Sequence, residues 1–118
     1  MTGALTKFEC ANPILRVSSM ARSLRFYVDV LGFTNAPWGD GTFTCVSRDG
    51  ASIYLCEGDQ GQAGTWVWIG VEDVEPLYRV LVENGATIRH PPESFPWALE
   101  MKVIDPDGHI LRFGSDPK

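Results

Sequence analysis

The spacing of the hydrophobic residues predicts two helices. Leu24, Tyr27, Val28 and Leu31 recur at helical spacing and predict a helix over residues 20–31. Ser18 or Ser19 is a suitable N-cap for it, and Gly32 marks its end. A second helix is predicted over residues 75–84, with a proline in its first turn and Gly85 at its end.

Between the helices the pattern predicts short strands. The predicted strands are residues 14–17, 42–46, 51–56, 66–69, 87–90, 99–104 and 109–113, and the signal for a further strand at 33–37 is the weakest. Asp-Gly pairs at 49–50 and 107–108 predict two hairpins. Residues 58–64 have the composition of a mobile linker. Three prolines within residues 91–97 predict a semi-rigid aromatic loop there.

The chain consists of two similar halves. Residues 17–32 resemble residues 71–85, and residues 45–55 resemble residues 103–113, at offsets of 54 and 58. Each half therefore has the order β-α-β-β-β. We expect one domain over residues 1–118, made of a first module at about residues 10–58 and a second at about 65–114.

Composition narrows the classes of function. The 118 residues are 44% hydrophobic and carry a net charge of −5, which argues against nucleic acid and favours a neutral or cationic small molecule as partner. No apolar run approaches the ~18 residues of a membrane span, and residues 1–13 lack the pattern of a signal peptide. The chain has three cysteines, Cys10, Cys45 and Cys56, which is an odd number, and it has no C-x-x-C pair. This pattern is typical of buried or half-buried free thiols in a cytoplasmic protein.

The motifs resemble those of the vicinal oxygen chelate superfamily, which includes glyoxalase I, extradiol dioxygenases, fosfomycin-resistance enzymes and bleomycin-resistance proteins. The resemblance rests on the repeat, on the segments 14–17, 23–27 and 31–33, and on the ending Asp-Pro-Asp-Gly at 105–108. It implies an α+β fold in which two paired βαβββ modules form a curved, partly open barrel-like sheet around a cleft, usually in a homodimer.

Three aromatic segments resemble the bleomycin-resistance proteins most. They are Trp66-Val-Trp68, Leu77-Tyr78 and Pro96-Trp97. Those relatives bind without catalysis and sequester a bulky cationic glycopeptide in grooves at a dimer interface.

Metal-dependent members of the superfamily take His or Glu ligands from four inward strand positions. The resemblance places these positions at Asn12, Tyr54, Trp66 and Arg112, and the two repeat offsets give the same pairing. None of the four is a good ligand for a divalent ion. His90 and His109 are expected to be surface or hairpin residues. We therefore expect no metal and no cofactor, which puts the metal-dependent activities in doubt.

Strand alternation places an aromatic surface where the metal would be. If Trp66 points into the cleft, so does Trp68, while Val67 and Ile69 face the helices. The candidate ligand-binding residues, none of them catalytic, are Asn12, Trp38, Tyr54, Trp66, Trp68, Phe95, Trp97 and Arg112. The structural alternatives are that the tryptophans pack in the core or a dimer interface, and that Arg112 forms an ion pair, for instance with Glu100. Asp105 and Asp107 are expected to be turn residues.

Three functions remain open. The first is a metal-free small-molecule binder that sequesters a drug or antibiotic that is planar or cationic, such as a bleomycin-like compound. The second is an enzyme or lyase of the glyoxalase/dioxygenase superfamily with an unknown substrate. If it needs no metal, its acid-base candidates are only Tyr54, His109 or Glu100, which form no recognisable dyad. The third is an interaction module whose cleft is filled by its own side chains.

Overall fold

The computed structural model describes residues 5–118. Residues 1–4, part of the segment considered above for a signal peptide, lie outside the described residues. The first half contains β1 (Ile14–Arg16), α1 (Met20–Leu24), β2 (Thr34–Asn35), β3 (Phe43–Arg48) and β4 (Ala51–Cys56). The second half contains β5 (Trp66–Gly70), α2 (Val74–Glu83), β6 (Thr87–Ser94), β7 (Leu99–Ile104) and β8 (Ile110–Ser115).

The strands form two four-stranded mixed sheets of the same topology. Their orders are β1-β4-β3-β2 and β5-β8-β7-β6, with the first two strands of each sheet parallel and the others antiparallel. The parallel pairs align Ile14 with Tyr54 and Trp68 with Arg112, which reproduces the offsets of 54 and 58. The α+β fold and the internal duplication are thereby confirmed. The two sheets do not close into one barrel among the described residues.

The first helix differs from the prediction. Ser19 caps α1 by accepting from the backbone N–H of Arg22, and Gly32 follows the helix with φ +78°. Between them, however, α1 continues as a π-helical segment, Arg25–Val30. Phe26 and Tyr27, which are adjacent in sequence, are both buried in this segment, whereas Leu24 and Val28 are only half-buried.

The prediction of a loop from Pro91 was wrong. β6 continues through Pro91 and Pro92 to Ser94. Proline is tolerated there because β6 is an edge strand and its pairing with β7 shifts register on either side of His90. Only the short turn at residues 95–98 connects β6 to β7, and it is closed by a hydrogen bond from the Phe95 N–H to the Ala98 carbonyl, 2.8 Å.

The Asp-Pro-Asp-Gly turn joins the two halves of the chain. Asp105 accepts from the Tyr27 hydroxyl at 2.8 Å, and Asp107 accepts from the N–H and hydroxyl of Ser18 at 2.9 and 2.7 Å. Burial, and then the charge of Asp105, raise the pKa of Tyr27 well above its ordinary value, so its hydroxyl stays a donor. The two aspartates do form the turn, as predicted, but their contacts with the first half were not foreseen.

His109 lies in the β7–β8 hairpin, one of the two expected locations, but it is not at the surface. Its ring is fully buried, with Nδ1 accepting from the Thr65 N–H at 3.0 Å and Nε2 donating to the Arg16 carbonyl at 2.7 Å. The ring is buried because both nitrogens are satisfied by backbone groups. The three cysteines are free thiols, with Cys56 buried and Cys45 half-buried as expected, whereas Cys10 is exposed.

Candidate functional site

Two tryptophans stand on the open face of the second sheet. Trp66 and Trp68 are each 53% exposed, whereas Ile69 is buried and Val67 half-buried on the opposite, helix-covered face. This confirms the alternation predicted for β5. Because the rings are not buried in the core, they offer stacking area to a ligand.

Gly114 makes room for one of these rings. A methyl group in place of its hydrogen would overlap the six-membered ring of Trp68, which lies directly over the glycine on the neighbouring strand β8. The position of the Trp68 indole therefore depends on the absence of a side chain at 114. Strand alternation from Arg112 predicts that Gly114 lies on the same face, but Gly114 was not among the candidate ligand-binding residues.

A buried carboxylate organises the centre of this face. Glu100 is only 3% exposed, and its Oε1 and Oε2 accept from Nε and Nη2 of Arg112 at 3.0 and 3.1 Å. The Trp97 indole N–H also donates to Glu100 Oε2 at 3.0 Å. Pairing of Arg112 with Glu100, left open as an alternative, is confirmed. The paired guanidinium lies 5.5 Å from the centre of the Trp68 ring.

The turn between β6 and β7 adds two stacked rings. Phe95 and Trp97 lie face to face at 4.9 Å with an interplanar angle of 8°, and Trp97 is 63% exposed. Because the Trp97 indole is tied to Glu100, this pair is fixed beside the sheet. Residues 95–97, part of the predicted semi-rigid aromatic loop, are therefore held against the sheet by this hydrogen bond.

Lys102 is a further residue of this face that the sequence analysis missed. It lies opposite Arg112 in the strand register, and its Nζ is 5.7 Å from the centre of the Trp66 ring. Period-two alternation from Glu100 would have placed it there. We call the face formed by Trp66, Trp68, Trp97, Glu100, Lys102 and Arg112 the tryptophan face.

A separate aromatic group lies on the first sheet. Phe43 stacks on Tyr54 at 5.4 Å, and Trp38 lies 6.3 Å from Phe43 and 6.4 Å from Tyr54. Asp40 holds the loop that carries Trp38, accepting from the N–H and hydroxyl of Thr42, each at 2.8 Å, and from the Phe43 N–H at 2.9 Å. These hydrogen bonds lower the pKa of Asp40.

The structure thus divides the eight candidate residues into two groups and one outlier. Five belong to the second sheet and its turn: Trp66, Trp68, Phe95, Trp97 and Arg112. Tyr54 belongs to the first sheet, and Trp38 lies beside it in the loop between β2 and β3. Asn12 precedes β1, where its amide donates to the Cys10 sulfur at 3.4 Å.

Two cavities flank Trp68. One, of about 820 Å³, lies on the tryptophan face between Trp68 and Trp97 and is also lined by Gly114, Glu72 and Asp116. The other, of about 930 Å³, is a groove lined by Asn12, the β3–β4 turn and α2. Because the tryptophans do not fill the first cavity, the arrangement does not favour a plugged cleft.

The four positions at which the family resemblance places a metal do not fit one. Arg112 is cationic, Trp66 carries the Lys102 ammonium near its ring, and Tyr54 is stacked on Phe43. Within residues 5–118, no three His, Cys, Asp or Glu side chains are grouped so as to hold a metal ion. The donor chemistry of these positions therefore differs from the oxygen and nitrogen sets that divalent ions require.

The three acid-base candidates, Tyr54, Glu100 and His109, are either already hydrogen-bonded or lie apart from the tryptophan face. Both His109 nitrogens are bonded to backbone, Glu100 is held by Arg112 and Trp97, and Tyr54 stands on the other sheet. None of the three is placed to exchange a proton with another.

Comparison with known proteins identifies the family. The model of the Glyoxalase/Bleomycin resistance protein/Dioxygenase superfamily matches residues 9–113. The chain belongs to this superfamily. A glutathione transferase FosA from Serratia marcescens is 30% identical over 105 residues, which cover 82% of this chain and 73% of that protein.

Solved structures of superfamily members share the fold. A bleomycin-binding protein from Streptomyces verticillus, solved with copper(II)-bleomycin, is 26% identical, with a TM-score of 0.79 over 97% of this chain and 100% of that one. TnmS3, an antibiotic-binding protein from Streptomyces sp. CB03234, is 22% identical, with a TM-score of 0.78 over 97% and 99% of the two chains. Among the described helices, none has the length and apolarity needed to cross a bilayer.

Proposed function

We propose that this superfamily member binds a planar small molecule, of the drug or antibiotic kind, and acts by sequestering it. The observation that carries the proposal is the tryptophan face, which exposes three indoles, two of which, Trp68 and Trp97, line a cavity of about 820 Å³. A cavity of this size suits a drug-sized compound. The bleomycin-binding and antibiotic-binding relatives support the same class of ligand.

The mechanism is affinity rather than turnover. Flat rings supply contact area with little loss of conformational freedom, and the Arg112–Glu100 pair keeps Trp97 and the neighbouring strands in place before the ligand arrives. A preorganised face lowers the entropic cost of binding, which is what a stoichiometric trap needs.

We further propose that the protein works in the cytoplasm as a homodimer in which two copies share the site. One protomer leaves Trp38 60% exposed on the first sheet, apart from the tryptophan face of the second. Pairing of two copies would cover such exposed aromatic surface and would bring a first sheet opposite a second one. Sedimentation equilibrium tests this, and a monomer at micromolar concentration would contradict a shared site.

Ligand binding is tested by titrating the tryptophan fluorescence with metal-free bleomycin, copper(II)-bleomycin and a set of planar compounds. Gly114→Ala displaces the Trp68 ring, so we expect its affinity to fall by about tenfold. Gly50→Ala is the matched control, since a methyl group at the β3–β4 turn meets no atom within 4 Å. Equal affinities of the two variants would contradict the assignment of this face.

A second candidate is an enzyme that transfers glutathione, favoured by the 30% identity to FosA. The four positions at which the family resemblance places metal ligands do not carry a set of side chains that binds a divalent ion. This argues against a metal-dependent glutathione transferase. The test is glutathione consumption with chlorodinitrobenzene as the electrophile, with and without added Mn²⁺. Turnover that depends on Mn²⁺ would replace the sequestration proposal.

A further inference from the structure

The tryptophan face already carries cations of its own. Arg112 lies over Trp68 and Lys102 over Trp66, at 5.5 and 5.7 Å from the ring centres. A cation–π contact uses the same electron-rich ring surface that a cationic ligand would seek. A cationic ligand would therefore compete with Lys102 and Arg112 for the rings and would also be repelled by their charges.

The two resident cations differ in how their charge is balanced. Arg112 is neutralised by the buried Glu100, with an N–O distance of 2.9 Å. For Lys102, no carboxylate of residues 5–118 lies within 4.0 Å of Nζ, and the side chain is half-buried. Lys102 is thus a cation beside aromatic rings whose charge is not compensated by a direct ion pair.

The other charged groups nearby lie to either side of this position. Across the edge of the sheet, His90 is opposite Lys102, and its Nε2 is 3.2 Å from Glu93 Oε1. The carboxylates of Glu72 and Asp116 line the cavity on the far side of Trp68. An anionic group is therefore disfavoured near Glu72 and Asp116 and favoured at the end of the face where Trp66 and Lys102 lie.

We infer that the ligand is a planar aromatic compound with an acidic group, such as a carboxylate, sulfonate or phosphate, and that Lys102 binds this group. Trp68, Arg112 and Lys102 stand in register on three adjacent strands, which spans roughly 10 Å. That distance fits a compound of two or three fused rings lying across the sheet. The inference rests on the proposed binding function and specifies its ligand.

This assignment reverses the expectation drawn from the net charge of −5. The acidic excess is a property of the whole chain, whereas the charge that a ligand meets is that of the groups within a few ångströms. On the tryptophan face those groups are two cations and the buried carboxylate of Glu100, together with the exposed carboxylate of Glu93 at the sheet edge, which lies 3.2 Å from His90 Nε2.

The test compares three probes that share one ring system. They are an acridine carboxylate, its neutral carboxamide, and aminoacridine, which is protonated at neutral pH. We expect the carboxylate to bind about tenfold more tightly than the carboxamide, with aminoacridine the weakest. Tighter binding of aminoacridine, or of bleomycin, than of the carboxylate would overturn the inference while leaving the binding function intact.

Substitutions of lysine residues test whether the preference for the acidic probe depends on Lys102. Lys102→Met keeps most of the apolar stem of the side chain. It should lower the affinity for the acridine carboxylate about tenfold and change the affinity for the carboxamide by no more than about twofold. Lys102→Arg should retain the preference, and Lys7→Met, which removes the same charge from the exposed N-terminal segment, should leave it unchanged. Equal effects of Lys102→Met and Lys7→Met would refute a role for Lys102. Failure of all three probes and of bleomycin to bind would instead refute the proposed function.

Discussion

Removing the Arg112 guanidinium tests how strongly the tryptophan face depends on its central ion pair. In Arg112→Met, the 3%-exposed Glu100 loses its ion-pair partner and keeps only the Trp97 indole N–H. Breaking a buried pair from one side costs about 3–5 kcal/mol. Because 37% of the Arg112 side chain is exposed, part of its interaction is screened by solvent. We therefore expect a loss of about 3 kcal/mol, or about 10 °C in Tm for a chain of this size.

Urea and thermal denaturation measure this loss, with Arg89→Met as the control because Arg89 is an exposed arginine on β6. The double variant Arg112→Met/Glu100→Leu should regain most of the stability, since no unpaired carboxylate then remains buried. A change of under about 1 kcal/mol in Arg112→Met would refute the reasoning, because that is the range of exposed surface ion pairs. So would a double variant that is no more stable than the single one.

Three further predictions concern the contacts that join the halves and cap α2. Tyr27→Phe leaves Asp105 Oδ2 without its donor, so urea denaturation should show a loss of about 1–3 kcal/mol. Because the folded-state pKa of Tyr27 is raised, stability should fall as pH rises above about 10, where the unfolded chain ionises first, and Tyr27→Phe should reduce this fall. The pKa of Asp73, which caps α2, is lowered by hydrogen bonds from Lys118 and the Glu75 N–H, so stability should decline as pH falls below about 4. Asp73→Asn should flatten the decline.

Much of the fold could be predicted because its signals are local. Two-residue alternation on β5 and the Asp-Gly turns depend on a few neighbouring residues, and the repeat offsets follow from comparing the halves. The π-helical segment was not predictable in this way. A regular helical period gives no sign that Phe26 and Tyr27, adjacent in sequence, both turn inward.

The site was predicted only in part, for a different reason. The sequence predicted that Trp66 and Trp68 share one face, and it offered the Arg112–Glu100 pair as an alternative, which the structure shows. It did not predict that the candidate residues of the two halves lie in two separate groups. Whether Tyr54 and Arg112 face the same space depends on the packing of one sheet against another, which the pattern within a strand does not encode. The chain-wide charge likewise concealed the local cation at Lys102.

The hydrogen bonds between the halves bear on how the duplicated chain can be cut and rejoined. Tyr27 and Ser18 of the first half need acceptors that only the second half supplies, and buried His109 needs the Arg16 carbonyl in return. In a polypeptide that contains only one of the two halves, these groups would have no hydrogen-bond partners. Two fragments cut between residues 58 and 64 and refolded together could form every one of these hydrogen bonds, so the two halves together should fold where one half alone fails.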